Sequence, residues 1–134
     1  MRKYIATAAI ALLATGVSAA PTGERLAYVV GCVNCHHQTP KEIINAPPLM
    51  VVQTYSLPEF TYFLRTGLMR TGRNLPQLGS IMGIVAVEQF SHMTDDEIKS
   101  IYEFLKNDWN VQRASAEEKK IPSLYKAESK KKPQ

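Results

Sequence analysis

Cys32-Val33-Asn34-Cys35-His36 is the part of the chain that most restricts its fold. Two thiols three positions apart, followed at once by an imidazole, lie on one short helical bend, so a single turn of backbone delivers all three side chains together. They are the only two cysteines among 134 residues. A thiol pair with an adjacent histidine is the pattern of covalent haem attachment: each sulfur forms a thioether to one vinyl group, and the imidazole Nε2 can reach the iron. Two other readings compete. The pair could close as a disulfide or act as a redox couple, or it could be half of a zinc site. Zinc wants four donors, and only His36, His37 and His92 remain to help.

The residues before the motif favour the haem reading. Arg2 and Lys3 form a basic start, Ile5 to Leu13 an apolar run, and Val17-Ser18-Ala19 a small-residue end. This is the pattern of a secretory signal cut after Ala19, which predicts export to the periplasm. The apolar run is too short for a membrane span, so no stable span is expected once the signal is removed. Residues 1–19 thus read as signal, 20–110 as one domain and 111–134 as a polar, basic tail, helical in part. A chain this short buries a modest core, and a large apolar cofactor would supply its centre.

Formal charge is +4. Removing Arg2 and Lys3 from 16 basic side chains leaves 14 against 12 acidic ones, and two haem propionates would bring the sum close to zero. That balance gives no ground for a nucleic-acid partner.

Helical spacing dominates the rest. Gly23 to Gly31 reads as a first helix through Leu26, Val29 and Val30. Thr39-Pro40 breaks the pattern, 41–45 has room for one turn, and Pro47-Pro48 excludes helix interior. Leu49 to Thr54 is apolar and unassigned. Ser56 to Gly67 is a clear helix: Ser56 caps it, Pro58 suits its first turn, Phe60, Phe63 and Leu64 share a face, and Gly67 closes it. Leu68 to Gly83, with Gly72, Pro76, Gly79 and Gly83, reads as a long loop. Thr94-Asp95-Asp96-Glu97 is a capping box opening a helix with an Ile98, Ile101, Tyr102, Leu105 stripe, which ends near Trp109. Strand signals are scarce, so the expected class is all-α.

A haem iron held by one histidine has a sixth position, and its occupant decides between electron transfer and small-molecule chemistry. The candidates are Met50, Met69, Met82, Met93 and His92. Met82 is preferred, at the end of the glycine-rich loop and twelve residues before Thr94. Met93 precedes the cap as a staple residue, and Met50 and Met69 read as core filler. Arg65, Arg70 and Arg73 have no acidic residue among them from Phe60 to Val87; they would meet propionates, form a basic rim, or make a solvated face.

On GCVNCH at Gly31 to His36, FLRTG at Phe63 to Gly67, and MGIVAVEQFSHMTDDEIKSIYEFL at Met82 to Leu105, the chain resembles class I cytochromes c. The resemblance spans about residues 22 to 109, and the cysteine motif is its most specific part. It implies a cytochrome c fold, with helices packed around one covalent haem c held by Cys32 and Cys35 and ligated by His36 and Met82. It further implies a close crossing of first and last helices, with Gly23 or Ala27 against Tyr102. The carbonyl of Pro47 or Pro48 would accept the Nδ1 hydrogen of the proximal histidine, and Pro48 and Leu49 would line the ring. The implied activity is single-electron transfer between redox proteins, a dehydrogenase and an oxidase or another cytochrome, with no bond chemistry on a substrate. The alternative is a haem protein with an open sixth site, acting as a gas sensor or small-molecule enzyme. Many relatives carry proline after the ligand methionine; Gly83 stands there, which predicts a more flexible loop.

Overall fold

The computed structural model describes residues 21–36 and 46–120. The signal segment, His37, the turn at 41–45 and the lysine run at 130–132 lie outside those residues. Six α-helices and three tighter or wider turns follow in order, and no strand occurs among the described residues. The expected all-α class holds for them.

Helix α1 (Gly23–Val29) starts where the Thr22 hydroxyl accepts the Arg25 N–H at 3.3 Å. Gly31, at φ +89°, turns the chain into α2 (Cys32–Cys35), a backbone angle that suits glycine and strains other residues. Residues Leu49–Thr54, unassigned from sequence, form a 3-10 turn that buries Leu49 and Val52. Helix α3 (Leu57–Thr66) has its ends as read: a reciprocal Ser56–Glu59 capping box, Pro58 in the first turn, and Gly67 at φ +67°. Helix α5 (Asp95–Glu103) opens on the Thr94–Glu97 capping box and runs into a wider π turn, Phe104–Asp108. Ile98, Ile101 and Leu105 are the largest fully buried side chains, which makes this stripe the centre of the core.

The glycine-rich segment departs from expectation. Its loop ends at Ser80, and α4 (Ile81–Glu88) takes in both Met82 and Gly83. Gly83 does not loosen the chain there. A Cβ on it would come within 2.3 Å of the Leu75 carbonyl carbon and the Pro76 nitrogen, so the bare backbone lets the loop lie flat on the helix. The loop braces itself through Leu75 N–H to Gly67 O and Ser80 N–H to Leu75 O, at 3.2 and 3.1 Å.

Gly23 marks the crossing of α1 and α5. A Cβ on it would stand 1.8 Å from the Ser100 oxygen, so the helices touch backbone to backbone. The partner of this small residue is therefore the Ser100–Ile101 backbone. Tyr102 packs on Phe60, ring centres 5.6 Å apart, and donates its hydroxyl to Tyr55 O at 2.9 Å. Arg65 ties α3 to the approach of α5, donating to Ser91 O, Met93 O and Asp95 Oδ1 at 2.8, 3.0 and 2.6 Å.

The domain boundary read at residue 110 is followed by α6 (Val111–Lys119), whose Ala114 joins the apolar core. Arg113 pairs with Glu24 of α1 and lies over the Phe104 ring at 4.9 Å. Trp109 is 2% exposed and meets Phe104 edge-on, as a helix-end core residue should.

Candidate functional site

Helix α2 is a single turn that brings Cys32, Cys35 and His36 onto adjacent positions of one bend. Cys35 N–H bonds to Gly31 O and His36 N–H to Cys32 O, each at 3.0 Å, so a single turn carries all three. Buried Val33 anchors the turn in the core, and Asn34 reaches back to Tyr28 O at 3.2 Å. Both cysteines are free thiols. Burial pushes the Cys32 thiol up to about 12, so its sulfur stays protonated at neutral pH. This thiol is a poor thiolate nucleophile, unlike the acidic cysteines of thiol–disulfide redox motifs.

His36 Nδ1 lies 2.6 Å from Pro47 O. A carbonyl only accepts, so Nδ1 carries the hydrogen and the neutral ring keeps its lone pair on Nε2. Of the two prolines that the resemblance offered as carbonyl partners of this histidine, Pro47 is the one that meets it. Pro48 precedes the 3-10 turn, and Leu49 is buried in the apolar cluster that also holds Val33 and Val52. Among the described residues, no three side chains of His, Cys, Asp or Glu converge to hold a metal ion.

The five candidates for a second iron ligand sort by position. Met82 sits half-buried in the first turn of α4 and, like Cys32, borders the same apolar core. Met50 borders it too, but its sulfur faces the Gln53 amide at 3.9 Å. Met93 packs as the residue before the α5 cap, its carbonyl held by Arg65. Met69 lies in the loop after α3, and His92 is exposed in the turn Phe90–His92. The sequence reading placed Met82 on a loop; the structure puts it on a helix seated on α3 through the Gly67–Gly83 contact.

The three arginines divide. Arg65 is a structural tie, and its carboxylate contact among the described residues is Asp95. Arg70 donates to Thr54 O at 2.7 Å and lies over the Tyr55 ring at 5.0 Å. Arg73 is exposed on the loop. The motif pattern alone did not find the Tyr28–Glu117–Arg113 cluster that joins α1 to α6. Burial and Glu117 raise the Tyr28 hydroxyl above its ordinary value, and the Lys120 ammonium holds Glu117 below its own.

No protein-family model, curated protein or solved structure matches the chain.

Proposed function

We propose that this chain is an exported monohaem c-type cytochrome that carries single electrons between redox proteins in the periplasm. Cys32 and Cys35 would anchor the haem through thioethers, and His36 and Met82 would be its axial ligands. Pro48 and Leu49 would line the ring.

The observation that carries the reading is the His36–Pro47 hydrogen bond on the same turn as two free thiols. A histidine whose Nδ1–H is tied to a backbone carbonyl is held in one tautomer and one orientation, which is what an iron ligand needs. A surface histidine has no such requirement.

When bound, haem supplies the one-electron couple; the chain orients the imidazole, offers a thioether and surrounds the ring with apolar side chains. A soft sulfur on the iron favours the reduced state and raises the potential. Met82 stands on a helix whose backbone Gly83 lets pack closely against the Leu75–Pro76 loop.

The test is protein produced with a haem-attachment system. Mass spectrometry should show one added macrocycle on the 32–36 segment. Met82→Ala should abolish the weak thioether-to-iron charge-transfer band and lower the potential. An unchanged spectrum would move the ligand role to another side chain. Tight carbon monoxide binding by the unaltered protein would favour the open-site alternative, and absence of added mass would refute the proposal.

A further inference from the structure

Asn34 lies between the two cysteines, exposed, on the side of α2 away from Cys32. At 100° per residue the cysteines stand about 60° apart round the turn, with His36 next, and Asn34 stands about 160° from Cys32. A ring bonded to both sulfurs would face away from Asn34. The Asn34 amide nevertheless has a protein partner: Nδ2 donates to Tyr28 O at 3.2 Å, back across the Gly31 turn.

That carbonyl is a fixed point. It belongs to the last turn of α1, where carbonyls lack a partner within the helix, and it also takes the Gly31 N–H at 3.2 Å. Helix α1 is pinned by two neighbours. Gly23 lies backbone to backbone on Ser100 of α5, and Ala27 is fully buried. From α6, Arg113 pairs with Glu24 and Glu117 shares a hydrogen bond with the Tyr28 hydroxyl. Helix α2, by contrast, is four residues long, and one turn of helix does not sustain itself. Its direction is set from outside: by Val33 in the core, by the His36 bond to Pro47 O, and by Asn34 on α1.

Covalent attachment makes direction matter. Each S–H adds across one vinyl double bond, sulfur to one carbon and hydrogen to the other, so two sulfurs must meet two fixed points on one rigid ring. We infer that Asn34 is a positioning residue for haem attachment: its amide sets the rotation of the Cys32–His36 turn on α1, so that both sulfurs and the imidazole face one ring together. This role rests on the cytochrome reading; Asn34 acts through its neighbours and touches neither ring nor iron.

The test uses the full chain produced with a haem-attachment system. Purified protein is denatured and treated with iodoacetamide, which labels any cysteine left without a thioether, and intact mass reads haem and label together. In Asn34→Ala the fraction of haem-bearing chains with one labelled cysteine should rise at least about fivefold, because small misplacements of reacting groups are costly. Asn34→Asp, equal in size but without an N–H to donate, should match it. Proton NMR of the ferric protein should show displaced ring-methyl resonances in both variants, since these report the plane of the axial imidazole. Thr22→Ala is the control. It removes the hydroxyl cap at the far end of α1 and should lower the melting temperature, with attachment complete and the methyl resonances in place. Complete attachment with unmoved resonances in Asn34→Asp would overturn the inference. So would the same defects in Thr22→Ala, which would make Asn34 a helix cap and nothing more. Unaltered protein without haem mass would overturn the cytochrome reading and this role with it; a haem-bearing chain indifferent to Asn34 strikes the positioning role alone.

Discussion

Gly23→Ala is a sharp probe of the fold, because one methyl group would test the α1–α5 crossing. The added carbon would stand 1.8 Å from the Ser100 oxygen and 2.4 Å from its carbonyl carbon, where ordinary contact begins at 3.4 Å. Both atoms belong to a helix backbone, so neither can rotate away. The helices would have to part by roughly 1.5 Å, loosening Ala27, Ile98 and Ile101, all fully buried. Overpacking of this kind costs about 1–3 kcal/mol. The better helix preference of alanine returns less than about 1 kcal/mol, since position 23 opens the helix. A net loss of about 2 kcal/mol is expected, which lowers the melting temperature by about 8–16 °C in a domain of this size. Thermal unfolding followed by far-ultraviolet circular dichroism measures it. Gly72→Ala is the control: at φ +83° with no atom within 4 Å, it carries backbone strain of about 1–2 kcal/mol but no overlap. If Gly23→Ala melts within 2 °C of the unaltered protein on a scale where about 1 kcal/mol moves it 4–8 °C, the backbone-to-backbone crossing is wrong.

Two further expectations follow from other ties. Arg65→Ala removes two charge-assisted bonds to backbone carbonyls and the exposed pair with Asp95, for a loss of about 1–2 kcal/mol in denaturant unfolding. Asp95→Asn should cost much less, and equal losses would show that the ion pair, not the carbonyl bonds, holds the element. The Ser56 backbone N–H, then its hydroxyl, hold the Glu59 carboxyl below its ordinary value of 4.5. A folded value below the unfolded one means that this capping contribution is fully present above pH 4.5 and is lost as pH falls through the lowered value. Glu59→Gln should therefore flatten part of the acid limb of stability against pH; a limb of unchanged slope would show that the cap carboxylate titrates without effect.

Local chemistry made a large part of this protein legible in its residues. The caps at Ser56 and Thr94, the closing Gly67 and the apolar stripe through Leu105 depend on contacts within a few residues, and each stands where periodicity and capping preferences put it. The same holds for the Cys32–His36 turn, whose three chemical groups are neighbours along the backbone. Gly83 was misread because a glycine's role depends on what passes over it: a turn former and a close-packing site look alike until Leu75–Pro76 is seen lying on it. The segment after Asn110 reads as a solvated tail that is helical in part, and where helix α6 rests was hidden for the same reason. Its charged surface suggests a solvated tail, whereas Ala114 and the Arg113–Glu24 pair dock it against α1, eighty-nine positions away from its ionic partner.

The choice of Pro47 over Pro48 likewise needed the fold, because the two prolines are equivalent in sequence and differ only in which carbonyl meets His36 Nδ1. The exposed stripe on α4 needed it most. An apolar octapeptide says that the helix wants burial, but which side the core takes and which side is left to solvent is settled by long-range packing. The residues alone therefore determined the helical class, the element ends and the chemical groups at the turn. Three-dimensional packing decided which glycine turns the chain and which is a contact, where the last helix rests, and which face of α4 meets the outside.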